Sequence, residues 1–156
     1  MIAAATGRLV LAGLLATTSI ATALADDLAE ACHEMLGAVA AVPGDLRRMV
    51  GESFAIDEQL YRGCLVTVAG DWNRARAAGI ADLLEDMRAD PGSRMALAGW
   101  RRDLAHDADG PDGTAFRLER SGVFCAVAGW WDGGDDSEPG RQASPLYLVE
   151  VRCARR

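Results

Sequence analysis

The sequence contains no lysine, and its 16 basic residues, all arginines, are outnumbered by 23 acidic residues, so the formal net charge is −7. Proteins that bind nucleic acid or anionic lipid need a basic surface to neutralise phosphate groups. The acidic balance argues against both partners. It favours a cationic protein or peptide as the complementary partner, or a charge that only keeps a small domain in solution.

The sequence also lacks the common catalytic and metal-binding motifs. It has no Gly-x-Ser-x-Gly, no His-Glu-x-x-His, no phosphate-binding glycine loop and no dinucleotide fingerprint. Its four cysteines include no Cys-x-x-Cys pair, which disfavours a zinc site. We therefore assign no catalytic residues, no resident metal and no cofactor from the sequence.

Long apolar runs are missing except at the N-terminus. Arg8 precedes a short apolar core, and Ala23-Leu24-Ala25 forms a small-x-small site before Asp26. This pattern is typical of a secretory signal peptide. We predict a signal peptide over residues 1–25 and a single α+β domain over residues 26–156, exported to a bacterial periplasm or secreted, with no membrane span after cleavage.

The four cysteines all lie beyond this segment and would reach an oxidising compartment, where an even number predicts two disulfides. Aligning Cys125 with Cys153 on two neighbouring strands also places Val127 opposite Val151, so that one register serves both core and cysteines. The favoured pairs are therefore Cys125–Cys153 and Cys32–Cys64.

Hydrophobic periodicity predicts three helices. The first has Asp27 as N-cap and ends before Pro43-Gly44; its apolar stripe consists of Leu28, Cys32, Met35, Leu36 and Val39. A short second helix is predicted from Asp45 to Val50. The third begins after Asp71 or Asn73 and buries Ala77, Ile80, Leu84 and Met87.

Alternating residues predict the strands. An interior strand runs over residues 60–69, a polar edge strand over Gly99–His106, and three further strands over 114–120, 123–131 and 146–153. A tight turn at Ser121-Gly122 places Leu118 opposite Cys125. The expected fold is α+β: a disulfide-stabilised antiparallel sheet of about four to five strands, with two to three helices packed on one face.

This topology brings two acidic connections, residues 106–113 and 132–145, to one end of the sheet. The candidate binding residues there are Asp107, Asp109, Asp112, Trp130, Asp132, Asp135, Asp136 and Glu138. Three interpretations remain open. Asp107, Asp109 and Asp112 offer oxygen ligands for calcium, the acids and tryptophan suit a recognition surface, and the residues are also those that exposed turns commonly contain.

We expect a non-enzymatic binding module that uses this acidic loop end. A small periplasmic hydrolase is the alternative, with His106 as a base or a carboxylate pair such as Asp109 with Asp135. A structural envelope component is a third possibility.

Overall fold

The computed structural model describes residues 16–132 and 146–156, with side chains described from Asp27 onward. Its elements, in chain order, are α1 (Ala16–Val39), β1 (Asp45–Ile56), β2 (Gln59–Asp71), α2 (Trp72–Ala77), α3 (Ile80–Met87), α4 (Arg94–Leu97), β3 (Arg101–Gly110), β4 (Gly113–Arg120), β5 (Val123–Trp131) and β6 (Leu146–Arg155). All strands pair antiparallel in one sheet of order β1-β2-β6-β5-β4-β3. The α+β class is confirmed. The expected numbers of strands and helices were too low, since the described residues form six strands and four helices. Most of these helices are short.

Helix α1 packs along the middle of the sheet. Cys32, Met35 and Val39 are buried against β2, β5 and β6, so the expected apolar stripe is confirmed. The helix begins at Ala16 and not at Asp27. Residues 16–26 contain no glycine or proline that would break a helix, so an N-cap at Asp27 was the wrong expectation.

The segment expected to be a short second helix is a strand. Residues 45–50 belong to β1, which pairs with β2 from Asp45↔Ala69 to Val50↔Cys64. Gly51, at φ +78°, follows this stretch and shifts the register. The apolar residues at 46, 49 and 50 fit a helical stripe, but the main-chain hydrogen bonds that β2 offers decide the conformation.

The third predicted helix is divided in two. Gly79, at φ +81°, separates α2 from α3, and only glycine adopts that conformation without strain. Asp71 is one of the two predicted caps. Its side chain caps α2 by accepting a hydrogen bond from the Arg74 amide at 2.8 Å. Helix α4 was not predicted. Ser93 caps it, since the Ser93 hydroxyl oxygen accepts a hydrogen bond from the Ala96 amide at 3.2 Å.

The predicted register of the C-terminal strands is confirmed. Leu118 lies opposite Cys125, and Cys125 lies opposite Cys153. Strand β2 is interior and β3 is an edge strand, both as expected. The structure contains the disulfides Cys32–Cys64 and Cys125–Cys153. The strand register favoured the second pair, and the first is the pair that remained.

The two faces of the sheet differ. The main core lies on the helix-covered face. On the other face, called here the helix-free face, the β1–β2 hairpin folds back and buries Phe54 and Ile56 against Phe124 and Ala154. Across the described residues, no helix is both long enough and apolar enough to cross a bilayer.

Candidate functional site

A groove lies on the helix-free face, between the tip of the β1–β2 hairpin and strand β3. Its floor contains three alanines, Ala115, Ala126 and Ala128, and its volume is about 370 Å³. The small side chains at these three positions leave space between the longer side chains of the neighbouring strands. The volume falls in the range of small-molecule sites, roughly 300 to 1,000 Å³.

A bulge in β3 forms one wall of the groove. Asp103 pairs with Arg117 and Ala108 with Ala115, so residues 104–107 stand opposite a single residue of β4. Extra residues of this kind bend a strand and redirect its side chains. Here the bulge brings His106 into the lining of the groove.

Both ring nitrogens of His106 face partners. Its Nδ1 lies 2.8 Å from Asp103 Oδ2, and its Nε2 lies 2.9 Å from Arg117 Nη1. Arginine only donates, so Nε2 accepts and Nδ1–H donates to Asp103. Desolvation raises the pKa of Asp103, but the hydrogen bonds from the Ala105 amide and from His106 outweigh it, and the pKa is lowered.

Arg117 is the central cation of the groove. It forms an ion pair with Asp57 at the tip of the β1–β2 hairpin and stacks 5.1 Å from the ring centroid of Phe124. The Asp57 carboxylate also lies 3.4 Å from His106 Nε2 and is 63% exposed. The ion pair thus holds the hairpin tip over the sheet and leaves a carboxylate open to solvent.

Strand β6 supplies a second charged pair. Arg152 forms an ion pair with Glu150, two residues away on the same face, and its Nη1 donates to the carbonyl oxygen of Ala55 at 3.1 Å. This side of the groove therefore also consists of side chains that are already hydrogen-bonded within the protein.

An exposed apolar pair borders the groove. Trp130 is 49% exposed and lies directly opposite Leu148, which is 38% exposed. Ala128 of the groove floor lies two residues from Trp130 on the same face of β5. By contrast, Trp131 faces the other side, where it stacks on Trp72 at 5.1 Å.

The structure places the predicted acidic residues differently from the expected loop. Residues 106–110 belong to β3, and the β3–β4 connection is a tight turn at Pro111-Asp112. The loop assignment was wrong because the strand resumes its pairing with β4 after the bulge, from Ala108 to Gly110.

Two of these acids are bound to arginines. Asp107 forms an ion pair with Arg102 at 2.5 Å. Asp109 forms an ion pair with Arg88 and accepts from Thr114 Oγ1 at 2.5 Å. Hydrogen bonds from Arg88 and then Thr114 lower the pKa of Asp109 to about 2, so this carboxylate stays ionised and is a poor general acid.

Of the remaining acidic residues, Asp112 and Asp132 are described, and both lie at one end of the sheet. The Trp131 amide donates to Asp112 O at 2.9 Å and the Asp132 amide to Leu146 O at 2.8 Å, so the β3–β4 turn lies at the same end of the sheet as Asp132 and Leu146. Asp135, Asp136 and Glu138 lie outside the described residues. Among the described residues, no group of three or more His, Cys, Asp or Glu side chains is arranged to hold a metal ion.

Sequence reasoning missed Asp57, Arg117, Glu150 and Arg152 as members of one site. Strand alternation does place Arg117 on the face opposite Leu118, and Glu150 opposite Val149 and Val151. The missing information was that a distant hairpin folds over that face. Comparison of the chain with protein-family models, curated proteins and solved structures finds no match.

Proposed function

We propose that this protein is an exported, non-enzymatic binding module that receives a cationic, partly apolar polypeptide segment on its helix-free face. The observation that carries this proposal is the position of the exposed pair Trp130 and Leu148 beside a groove whose polar lining includes three carboxylates. An exposed apolar pair next to polar groups is typical of an interaction site.

Charge complementarity supports a cationic partner. The groove lining contains three carboxylates, Asp57, Asp107 and Glu150, against the two guanidinium groups of Arg117 and Arg152. The Asp57 carboxylate is 63% exposed and has room for a further hydrogen bond. The whole chain carries a net charge of −7, which would attract a basic segment during encounter. In this arrangement a basic side chain lies near Asp57, and an apolar side chain packs on Trp130.

The chemistry of the groove supports binding without catalysis. Among the described residues that line it there is no serine, threonine, cysteine or lysine to act as a nucleophile. Both nitrogens of His106 are engaged, so this residue has no free position for accepting a proton from a substrate.

Two disulfides are compatible with an extracellular or periplasmic site of action, because disulfides persist in oxidising compartments. The signal peptide predicted over residues 1–25 supports the same location.

Calorimetric titration with two acetylated decapeptides tests the proposal. One peptide alternates Arg and Leu, and the other alternates Glu and Leu. We expect the Arg-Leu peptide to bind at least ten times more tightly, and Trp130→Ala to weaken that binding by at least about tenfold, as for an aromatic hot spot. Glu150→Gln should weaken it and reduce its salt dependence.

Leu97→Ala is the matched control, since Leu97 is 81% exposed but lies on α4, on the other side of the sheet. It should bind the Arg-Leu peptide like the wild type. The proposal fails if the two peptides bind equally, or if Trp130→Ala has no more effect than Leu97→Ala.

A hydrolase is the second candidate, and one observation favours it. The 2.8 Å contact between His106 Nδ1 and Asp103 resembles the way a carboxylate orients a histidine base. Arg117 would have to leave Nε2 before that base could act. Turnover of a peptide or ester substrate that disappears in His106→Ala would support this candidate, and turnover that persists would exclude it.

A further inference from the structure

A second cavity, of about 380 Å³, lies on the helix-covered face, next to the disulfide Cys32–Cys64. Leu28 and Ala29 of α1 and Val50 of β1 form its apolar part. Helix α1 packs on β2, β5 and β6, and the edge strand β1 extends beyond it, which leaves Val50 66% exposed. The cavity opens where the helix no longer covers the sheet.

Three neighbouring strands each contribute one arginine to this cavity: Arg48 from β1, Arg62 from β2 and Arg155 from β6. Arg48 stands opposite the buried Val66, and Arg62 and Arg155 each lie two residues from a buried cysteine. Side chains at these positions point to the same face. Strand alternation therefore gathers three positive charges on one side of a predominantly acidic protein.

These arginines have no carboxylate partners among the described residues. Most other arginines in the described part of the chain do; the ion-paired ones are Arg47, Arg88, Arg94, Arg102, Arg117, Arg120, Arg152 and Arg156. Arg62 Nε donates to the carbonyl oxygen of Gly51 at 3.0 Å. Arg155 Nε is buried and finds no hydrogen-bond acceptor among the described residues. A buried donor of this kind is costly unless an acceptor satisfies it.

We propose that this cavity binds a free, single-chain anionic amphiphile, with a carboxylate held by the three guanidinium groups and an alkyl chain lying on Leu28, Ala29 and Val50. Guanidinium groups bind carboxylates through paired, charge-assisted hydrogen bonds. The apolar lining gains free energy with each methylene that it removes from water. The cavity is separate from the groove on the helix-free face and carries the opposite charge.

Calorimetric titration of the protein, purified from cells that express the full chain, tests this with three probes: decanoate, decylammonium and acetate. We expect decanoate to bind at least about tenfold more tightly than either other probe, because only decanoate combines the alkyl chain with the anion. Arg62→Gln and Arg155→Gln should each weaken decanoate binding about tenfold. Nitrogen-15 NMR should show the Arg155 Nε–H signal shifting as decanoate is added.

Arg101→Gln is the matched control, since Arg101 has no ion pair among the described residues and lies on β3, at the opposite edge of the sheet. It should bind decanoate like the wild type. The proposal is overturned if decanoate and decylammonium bind alike, or if the Arg62 and Arg155 variants bind decanoate normally. Binding only to phosphatidylglycerol vesicles, with no binding of free decanoate, would also overturn it and would assign the arginines to a membrane surface.

Discussion

Asp57 forms an ion pair with Arg117, although 60 residues separate them in the chain. Asp57 occupies the turn between β1 and β2, and Arg117 lies in the middle of β4. Neither strand of the hairpin is a neighbour of β4 in the sheet. The contact therefore fixes how the hairpin folds across the helix-free face and gives the groove its second wall.

Breaking this ion pair should loosen the hairpin tip. In Asp57→Asn we expect faster amide hydrogen exchange over residues 54–61, because the hairpin tip loses its ion pair with Arg117 and keeps only the packing of Phe54 and Ile56 on the sheet. Global unfolding should change by less than about 1 kcal/mol, since Asp57 is largely exposed. Glu58→Gln is the control, because Glu58 is the adjacent turn residue and has no ion pair among the described residues. Equal exchange in both variants would contradict this role.

Removing either disulfide should cost similar stability. The pairs Cys32–Cys64 and Cys125–Cys153 have sequence separations of 32 and 28. Loop-closure entropy for such lengths predicts a loss of about 3 to 4 kcal/mol for each double alanine variant. Urea unfolding would measure it. A loss confined to one variant would show that cross-linking of the unfolded chain does not explain the stabilisation.

Two glycines should respond to alanine in opposite directions. A Cβ at Gly63 would overlap the carbonyl oxygen of Cys153 on the neighbouring strand. Backbone cannot yield as a flexible side chain can, so Gly63→Ala should destabilise the protein by at least about 3 kcal/mol.

Gly37, in contrast, lies in α1, and no neighbouring atom lies within 4 Å of the position that a Cβ would take there. Gly37→Ala should stabilise the protein by about 0.5 to 1 kcal/mol, because alanine is the better helix former. Thermal unfolding of both variants checks the contrast, and it fails if the two midpoints move the same way.

The Asp109 carboxylate should contribute to stability in a defined range of pH. Its pKa is lowered to about 2 by Arg88 and Thr114, from an ordinary value of 3.8. The folded state thus favours the ionised form, and the stabilisation is present above about pH 4 and is lost as the pH falls towards 2.

We therefore expect Asp109→Asn to be less stable than the wild type at pH 6 and to lose less stability on acidification between about pH 4 and pH 2. Asp112→Asn, in the adjacent turn, is the control and should follow the wild type. Parallel acid-unfolding curves for wild type and Asp109→Asn would contradict the assignment.

Strand alternation was sufficient to place the C-terminal half of the sheet. A single register satisfies Val127, Val151 and the pair Cys125–Cys153, so local pattern and tertiary pairing agree there. The segment from Leu46 to Val50 was mispredicted because its apolar spacing fits a helix turn as well as a strand. Only the partner strand β2 decides between them, and local sequence does not report that partner.

The candidate sites were harder to predict than the strands. The acids at 107 and 109 were visible in the sequence, but their arginine partners Arg102 and Arg88 approach from β3 itself and from the end of α3. Whether a carboxylate is available to a partner depends on whether the fold brings one of the protein's own cations to it. Sequence composition gives the number of charged residues but does not tell which of them form ion pairs with one another.

The central position of β6 has a consequence for how the chain acquires its structure. This strand is the last in chain order, yet it joins the β1–β2 hairpin to the β3–β4–β5 meander. During synthesis, the two parts have no edge in common until residues 146–155 emerge from the ribosome. The nascent chain therefore cannot complete this sheet until the strand that joins its two parts is available.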